Sequence, residues 1–136
     1  MAAPLRERVW QRAGGRCEYC QLPHDCTRLP HEVDHIRPQK HHGPTAFDNL
    51  CLACALCNWH KGSSPVGYDP QTDNVTPLFN PRVDSWSEHF HWDGPRLVGR
   101  TAVGRTTIEV LRTNTPERVE HRRLLMLAGK FPPAPA

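Results

Sequence analysis

Two close cysteine pairs, Cys17-x2-Cys20 and Cys54-x2-Cys57, constrain this chain more than any other feature. A two-residue gap lets one tight turn present two thiolates to one ion. Two such turns supply the four tetrahedral sulfurs that zinc prefers at about 2.3 Å. An all-sulfur shell leaves no open position, so the predicted zinc site is structural. The stretch between the hooks is too long for a simple ribbon loop, so the metal would clamp an inserted segment at both ends. Cys51 also sits three residues before Cys54, as in part of an iron–sulfur run, but Lys61 stands where the fourth cysteine of that run belongs. Cys51 reads instead as a small buried residue on a strand, and Cys26 as a spare loop thiol.

A chain of 136 residues allows one domain with an appended unit. Its 14 prolines and 9 glycines leave few long elements, so a metal staple would aid stability. The net charge of +3 permits nucleic-acid binding without arguing for it. No apolar run approaches a membrane span. The first residues, MAAPLRERVWQRAGG, lack the apolar core and cleavage site of a signal peptide. A cytoplasmic protein is therefore expected, and a disulfide framework is not.

Leu5, Val9 and Ala13, widened by Trp10, predict a basic helix over Pro4–Arg16 whose arginines populate the remaining faces. One or two of those arginines are candidates for phosphate contact. His31–Ile36 predicts a short strand ended by Pro38, Asn49–Ala53 the returning strand, and Ala55–Lys61 a helix stopped by Gly62. Ser63–Pro81 reads as loop. Trp86–Trp92 and Arg96–Thr101 read as a hairpin around Asp93-Gly94-Pro95, Thr106–Arg112 as a short helix, and Thr115-Pro116-Glu117 as the capped start of a last helix running to about Ala128. In the hairpin, His89 and His91 would share one strand face, with Phe90 and Trp92 packed on the other. A nucleotide-stacking role for those aromatics requires an exposed ring. Arg118, Arg122 and Arg123 read as a solvated helix face with Glu117 and Glu120, with contact to backbone phosphate as the alternative.

Asp34-His35 carries the candidate chemistry. Imidazole suits a general base near neutral pH, and a carboxylate can hold a hard divalent ion. Phosphodiester cleavage needs both. The pair by itself is common. Its context is not: Pro38 follows, then Asn49-Leu50, Cys54-x2-Cys57-Asn58 and Lys61-Gly62. Adjacent strand residues face opposite sides, so Asp34 and His35 can share one site only where the strand is ending.

The succession C-x2-C, V-D-H-I-x-P, G-P-T-x-x-D-N-L and A-C-x-x-C-N-x-x-K-G resembles the zinc-containing HNH endonucleases of bacteria, over about Arg8 to Gly62. LFNPR (Leu78–Arg82), WSEHFHW and GRTTIEVLRTN (Gly104–Asn114) are similar to an extension carried by one bacterial subgroup. The resemblance implies an α+β fold: a ββα-metal finger braced by the four-cysteine zinc site, with a C-terminal hairpin and helix extension. It divides the chain into a nuclease core at 1–64 and an extension at 65–130 packed on it; the Pro/Ala composition after Lys130 reads as a disordered tail at 131–136. The resemblance implies a metal-dependent DNA endonuclease with His35 as general base, oriented across the hairpin by Asn49. Asp34 would bind one divalent ion, Mg2+ or Mn2+. Asn58 stands at the family's second ligand position, which departs from the literal H-N-H lettering, and His60 is the alternative. Lys61 is expected to contact phosphate or to act as a helix-end charge, and His41 to meet phosphate or simply be exposed. DNA is the expected partner, with a protein partner unknown. The rival reading is a non-catalytic zinc module that binds DNA or protein.

Overall fold

Pro4 sits in the first turn of α1 (Ala3–Ala13), and Gly14 ends the helix in the left-handed conformation. The computed structural model describes residues 1–134. After a cysteine turn and a loop, β1 (Glu32–His35) pairs antiparallel with β2 (Leu50–Ala53), in the register Asp34 opposite Cys51 and His35 opposite Leu50. Every residue of β2 is buried. Its Leu50 and Leu52 pack with Val33 against Val9 of α1. Cys51 and Ala53, on the other face, join the cysteine cluster. α2 (Ala55–Lys61) follows at once, with Cys54 as its cap. Strand, loop, strand and helix thus follow in the expected order, and the chain has the α+β character that order implies.

Two expectations for the middle of the chain are corrected. Ser63–Pro81 is not all loop: β3 (Val66–Tyr68) pairs with β4 (Val75–Pro77). Strands this short, with an exposed outer face, leave no apolar alternation in the sequence. Trp86–Trp92 is not one strand either. α3 (Trp86–His89) precedes β5 (Phe90–Asp93), which pairs with β6 (Arg96–Gly99). His89 and His91 therefore share no strand face. The His89 ring bonds Thr101 Oγ1 at 2.6 Å.

α4 (Ala102–Leu111) starts earlier than the sequence suggests, because Thr101 caps it by accepting from Gly104 N. Gly104 lies so close to the His89 carbonyl that a Cβ would stand 2.0 Å from its oxygen. α5 (Pro116–Leu127) begins at the expected Thr115 cap. Phe79, Phe90, Leu97 and Leu111 of the extension share one core with Cys17, Cys20, Cys54 and Cys57. Phe90 is buried, and Trp92 packs edge-on to Phe131, so neither ring is presented for stacking with a base. Phe131 itself is 5% exposed, so the disorder expected from residue 131 does not begin there; 135 and 136 lie outside the described residues. No helix among the described residues is long and apolar enough to cross a membrane.

Candidate functional site

The Sγ atoms of Cys17, Cys20, Cys54 and Cys57 all lie within 4.8 Å of one another. Cys20 and Cys54 Sγ are 3.7 Å apart, close to the edge of about 3.8 Å that a tetrahedron with 2.3 Å metal–sulfur bonds requires. The four thiols therefore fit zinc. In each hook the second cysteine's backbone N–H points at the first sulfur, at 3.5 Å for Cys20 on Cys17 and 3.4 Å for Cys57 on Cys54. Burial pushes the Cys17 thiol up, while its hydrogen bond to Cys20 is the chief cause holding Cys20 down. Four packed thiols cannot all ionise without a cation. Cys51 stays outside this set: burial, then the Asp34 charge, push its thiol up to about 12. The expectation of a small buried residue there holds.

Adjacent residues of β1 face opposite sides: Asp34 meets Lys61 of α2, and His35 meets Thr45 of the loop between the strands. Both nonetheless line one open cleft of about 260 Å³, with Pro38, Gln39, Lys40, Gly62 and Ser63. The strand ends at His35, so the cleft wraps its tip. Asp34 Oδ2 accepts from Lys61 Nζ at 2.8 Å, and the same ammonium bonds His35 O at 3.0 Å. Lys61 is thus a buried partner of the strand end, 2% exposed, rather than a free helix-end charge. His41 is exposed, and its carbonyl accepts from Arg37 Nε.

Asn49 makes no hydrogen bond to His35. Its amide donates to Arg37 O at 3.0 Å and Pro44 O at 2.8 Å, and its Oδ1 accepts from Arg37 N at 2.9 Å. Asn49 therefore positions the loop between the strands. That loop carries Thr45, whose Oγ1 bonds His35 Nε2 at 2.8 Å. The direct contact expected from Asn49 is replaced by this relay, because the amide's donors and acceptor are already satisfied by backbone.

Asn58 is not among the residues that line this cleft; its Nδ2 donates to Glu32 Oε2 at 2.6 Å. Glu32 and Asp34 share a face of β1. Asn58 thus stands beside Glu32, and Lys61, one turn on, stands beside Asp34. His60 is lowered first by burial and then by the Arg118 and Arg112 charges. It stands about 200° around the helix from Asn58, and it too is absent from the cleft lining.

Residues 17–64 match the family model described as HNH endonuclease. This segment is an HNH endonuclease domain. Over 118 residues, 85% of the chain, the sequence is 29% identical to the Septu protein PtuB of Bacillus thuringiensis, and it covers 43% of that protein. The chain thus spans less than half the length of this relative. No solved structure matches it.

Sequence reasoning misplaced two arginines that touch the HNH domain or its support. Arg12 donates to Phe47 O at 2.8 Å and stacks 3.8 Å over the Phe47 ring, which staples α1 to the residues just before Asn49. Arg118 of α5 is buried, not solvated. It reaches Cys57 Sγ at 3.0 Å and Cys54 Sγ at 3.7 Å. Burial alone would lower this guanidinium, but the sulfurs of Cys57, Cys20 and Cys54 raise it further than burial lowers it. Arg122 is also buried, on Pro95 O and Thr113 O. Only Arg123 has the expected exposed pairing, with Glu120. Nothing in the local pattern of α5 distinguishes these three.

Proposed function

We propose that the chain is a metal-dependent endonuclease that hydrolyses DNA, with zinc held by Cys17, Cys20, Cys54 and Cys57 as a structural brace. The observation that carries this reading is the meeting of Asp34 and His35 at one cleft around the tip of β1. Among the described residues, Asp34 Oδ1 and Asn58 Oδ1 accept no hydrogen bond from protein. Two such oxygens suit a hard ion such as Mg2+ or Mn2+. Asp34 would hold it at the cleft, and the family resemblance assigns the second ligand to Asn58 on α2. When bound, the ion supplies positive charge for the scissile phosphate and the departing oxygen. His35, held by Thr45, takes a proton from water. The water oxygen bonds phosphorus in line as the bond to the 3′-oxygen breaks, leaving a 5′-phosphate. Lys61 fixes Asp34 and the His35 carbonyl, so the strand end does not swing when substrate enters.

The Lys61–Asp34 pair is also the contact that favours the rival reading, a non-catalytic zinc module that binds DNA or protein. A plasmid-nicking assay separates the two. With Mg2+ or Mn2+, the parent should nick, and His35→Ala should lose about 10²–10⁴-fold of that activity, the usual worth of a general base. Equal nicking by both removes His35 as the base. Retention of DNA with no nicking by the parent favours the binding module.

A further inference from the structure

The extension has no side chain in the cleft that holds Asp34 and His35, yet it grips both cysteine turns. At the first turn, Trp86 Nε1 donates to Tyr19 O at 2.8 Å, Trp92 Nε1 donates to Gln21 Oε1 at 2.8 Å, and Arg82 pairs with Glu18. At the second, Arg118 places one guanidinium nitrogen on Cys57 Sγ and Cys54 Sγ. Its other terminal nitrogen donates to Leu111 O at 2.8 Å and Arg112 O at 3.3 Å. Those carbonyls close α4, where the helix dipole presents negative charge. Arg118 as a whole is 7% exposed, so little water shares these bonds.

We propose that Arg118 is the counter-charge of the thiolate–zinc centre, and that it makes zinc retention and docking of α5 on the HNH domain a single equilibrium. The proposal rests on the zinc reading above. Four thiolates around one divalent ion leave about two negative charges in a buried place. Two backbone N–H groups address the sulfurs, and Arg118 adds a full positive charge with a fork that spans sulfur and carbonyl. Outer contacts of this kind orient the ligands and slow their release. Loss of the metal, with its thiolates, would leave the guanidinium on two carbonyls alone, so α5 would loosen with it.

The test uses the full chain, zinc-loaded, with zinc release followed by a coloured chelator and the metal content measured first. Arg118→Met keeps the stem and removes the charge; Arg118→Lys keeps the charge without the fork. Asp69→Asn weakens the clamp of the β3–β4 turn on Arg105 of α4 without touching sulfur or α5. Release should quicken by about 10–100-fold in Arg118→Met, by less in Arg118→Lys, and little in Asp69→Asn. With cobalt in place of zinc, the sulfur-to-metal absorption band should move to lower energy in Arg118→Met alone, since the sulfurs lose a donor. Hydrogen exchange on the parent needs no variant: amides of Pro116–Leu127 should lose protection when zinc is stripped. Parental release and an unmoved band in Arg118→Met overturn the proposal, as does equal quickening by Asp69→Asn. α5 protection that ignores zinc overturns it too. A parent chain folded without zinc overturns the zinc reading itself, and the initial metal content separates that failure from the others.

Discussion

Gly43 shows how narrowly the cleft is set at the scale of one residue. A Cβ there would stand 1.7 Å from Arg37 O and 3.0 Å from Asn49 Nδ2. The loop can close on the Asn49 amide only because Gly43 has no side chain. Gly43→Ala should destabilise the fold by roughly 1–3 kcal/mol. It should also move Thr45, and with it the His35 ring. Thermal unfolding checks the first effect. A drop in nicking measured well below the unfolding midpoint checks the second; full activity there would remove the loop relay from the site. The Gly43-Pro44-Thr45 step stands in the sequence as a motif, and so do Asp34, His35, Asn49 and Asn58. Lys61 was legible as a residue but not as a buried partner of Asp34. Its role depends on α2 lying along β1, which no local pattern states.

Among the elements, the turn between β3 and β4 is tied to α4 by one carboxylate. Asp69 accepts from Arg105 Nε at 3.0 Å and Nη2 at 2.9 Å, from Gln71 N at 3.1 Å and from Thr72 Oγ1 at 2.9 Å. The Arg105 hydrogen bonds, more than any other cause, hold this carboxyl well below the usual carboxylate range. A carboxyl so depressed contributes stability that is fully present above its unfolded value of about 3.9 and fades as pH falls through its lower folded value. Asp69→Asn should therefore be less stable than the parent at neutral pH, with the gap narrowing only below about pH 4. Urea unfolding of the two proteins at matched pH measures it, and a gap that is constant with pH would show the carboxylate charge to be irrelevant. Neither strand of this hairpin was legible. Val66-Gly67-Tyr68 has no apolar alternation because its inner position is a glycine packed on Val110 and Thr106. The capped helices were legible, because a capping threonine before proline acts locally.

For the whole molecule, the cysteine centre joins segments far apart in sequence. α1 and β1–β2 meet on one side of β2, and the extension meets the cysteine turns on the other. Removing zinc should loosen both halves. Loss of even about 3 kcal/mol would lower the unfolding midpoint by roughly 10 °C in a domain of this size. Scanning calorimetry with and without chelator tests this. A variant with Cys54→Ser and Cys57→Ser should start at the lower midpoint and ignore the chelator; an unchanged parental midpoint would refute a structural metal. By itself the sequence determined the two cysteine hooks, the strand–loop–strand–helix order and the identity of the candidate reactive side chains. Each of these rests on spacing and chemistry within a few residues. Only the tertiary structure decided that Asn49 serves the loop, that Lys61 meets Asp34, and that Arg118 crosses from α5 to the thiols. Those choices belong to long side chains, whose partners are fixed by which surfaces are buried together rather than by the chain on either side.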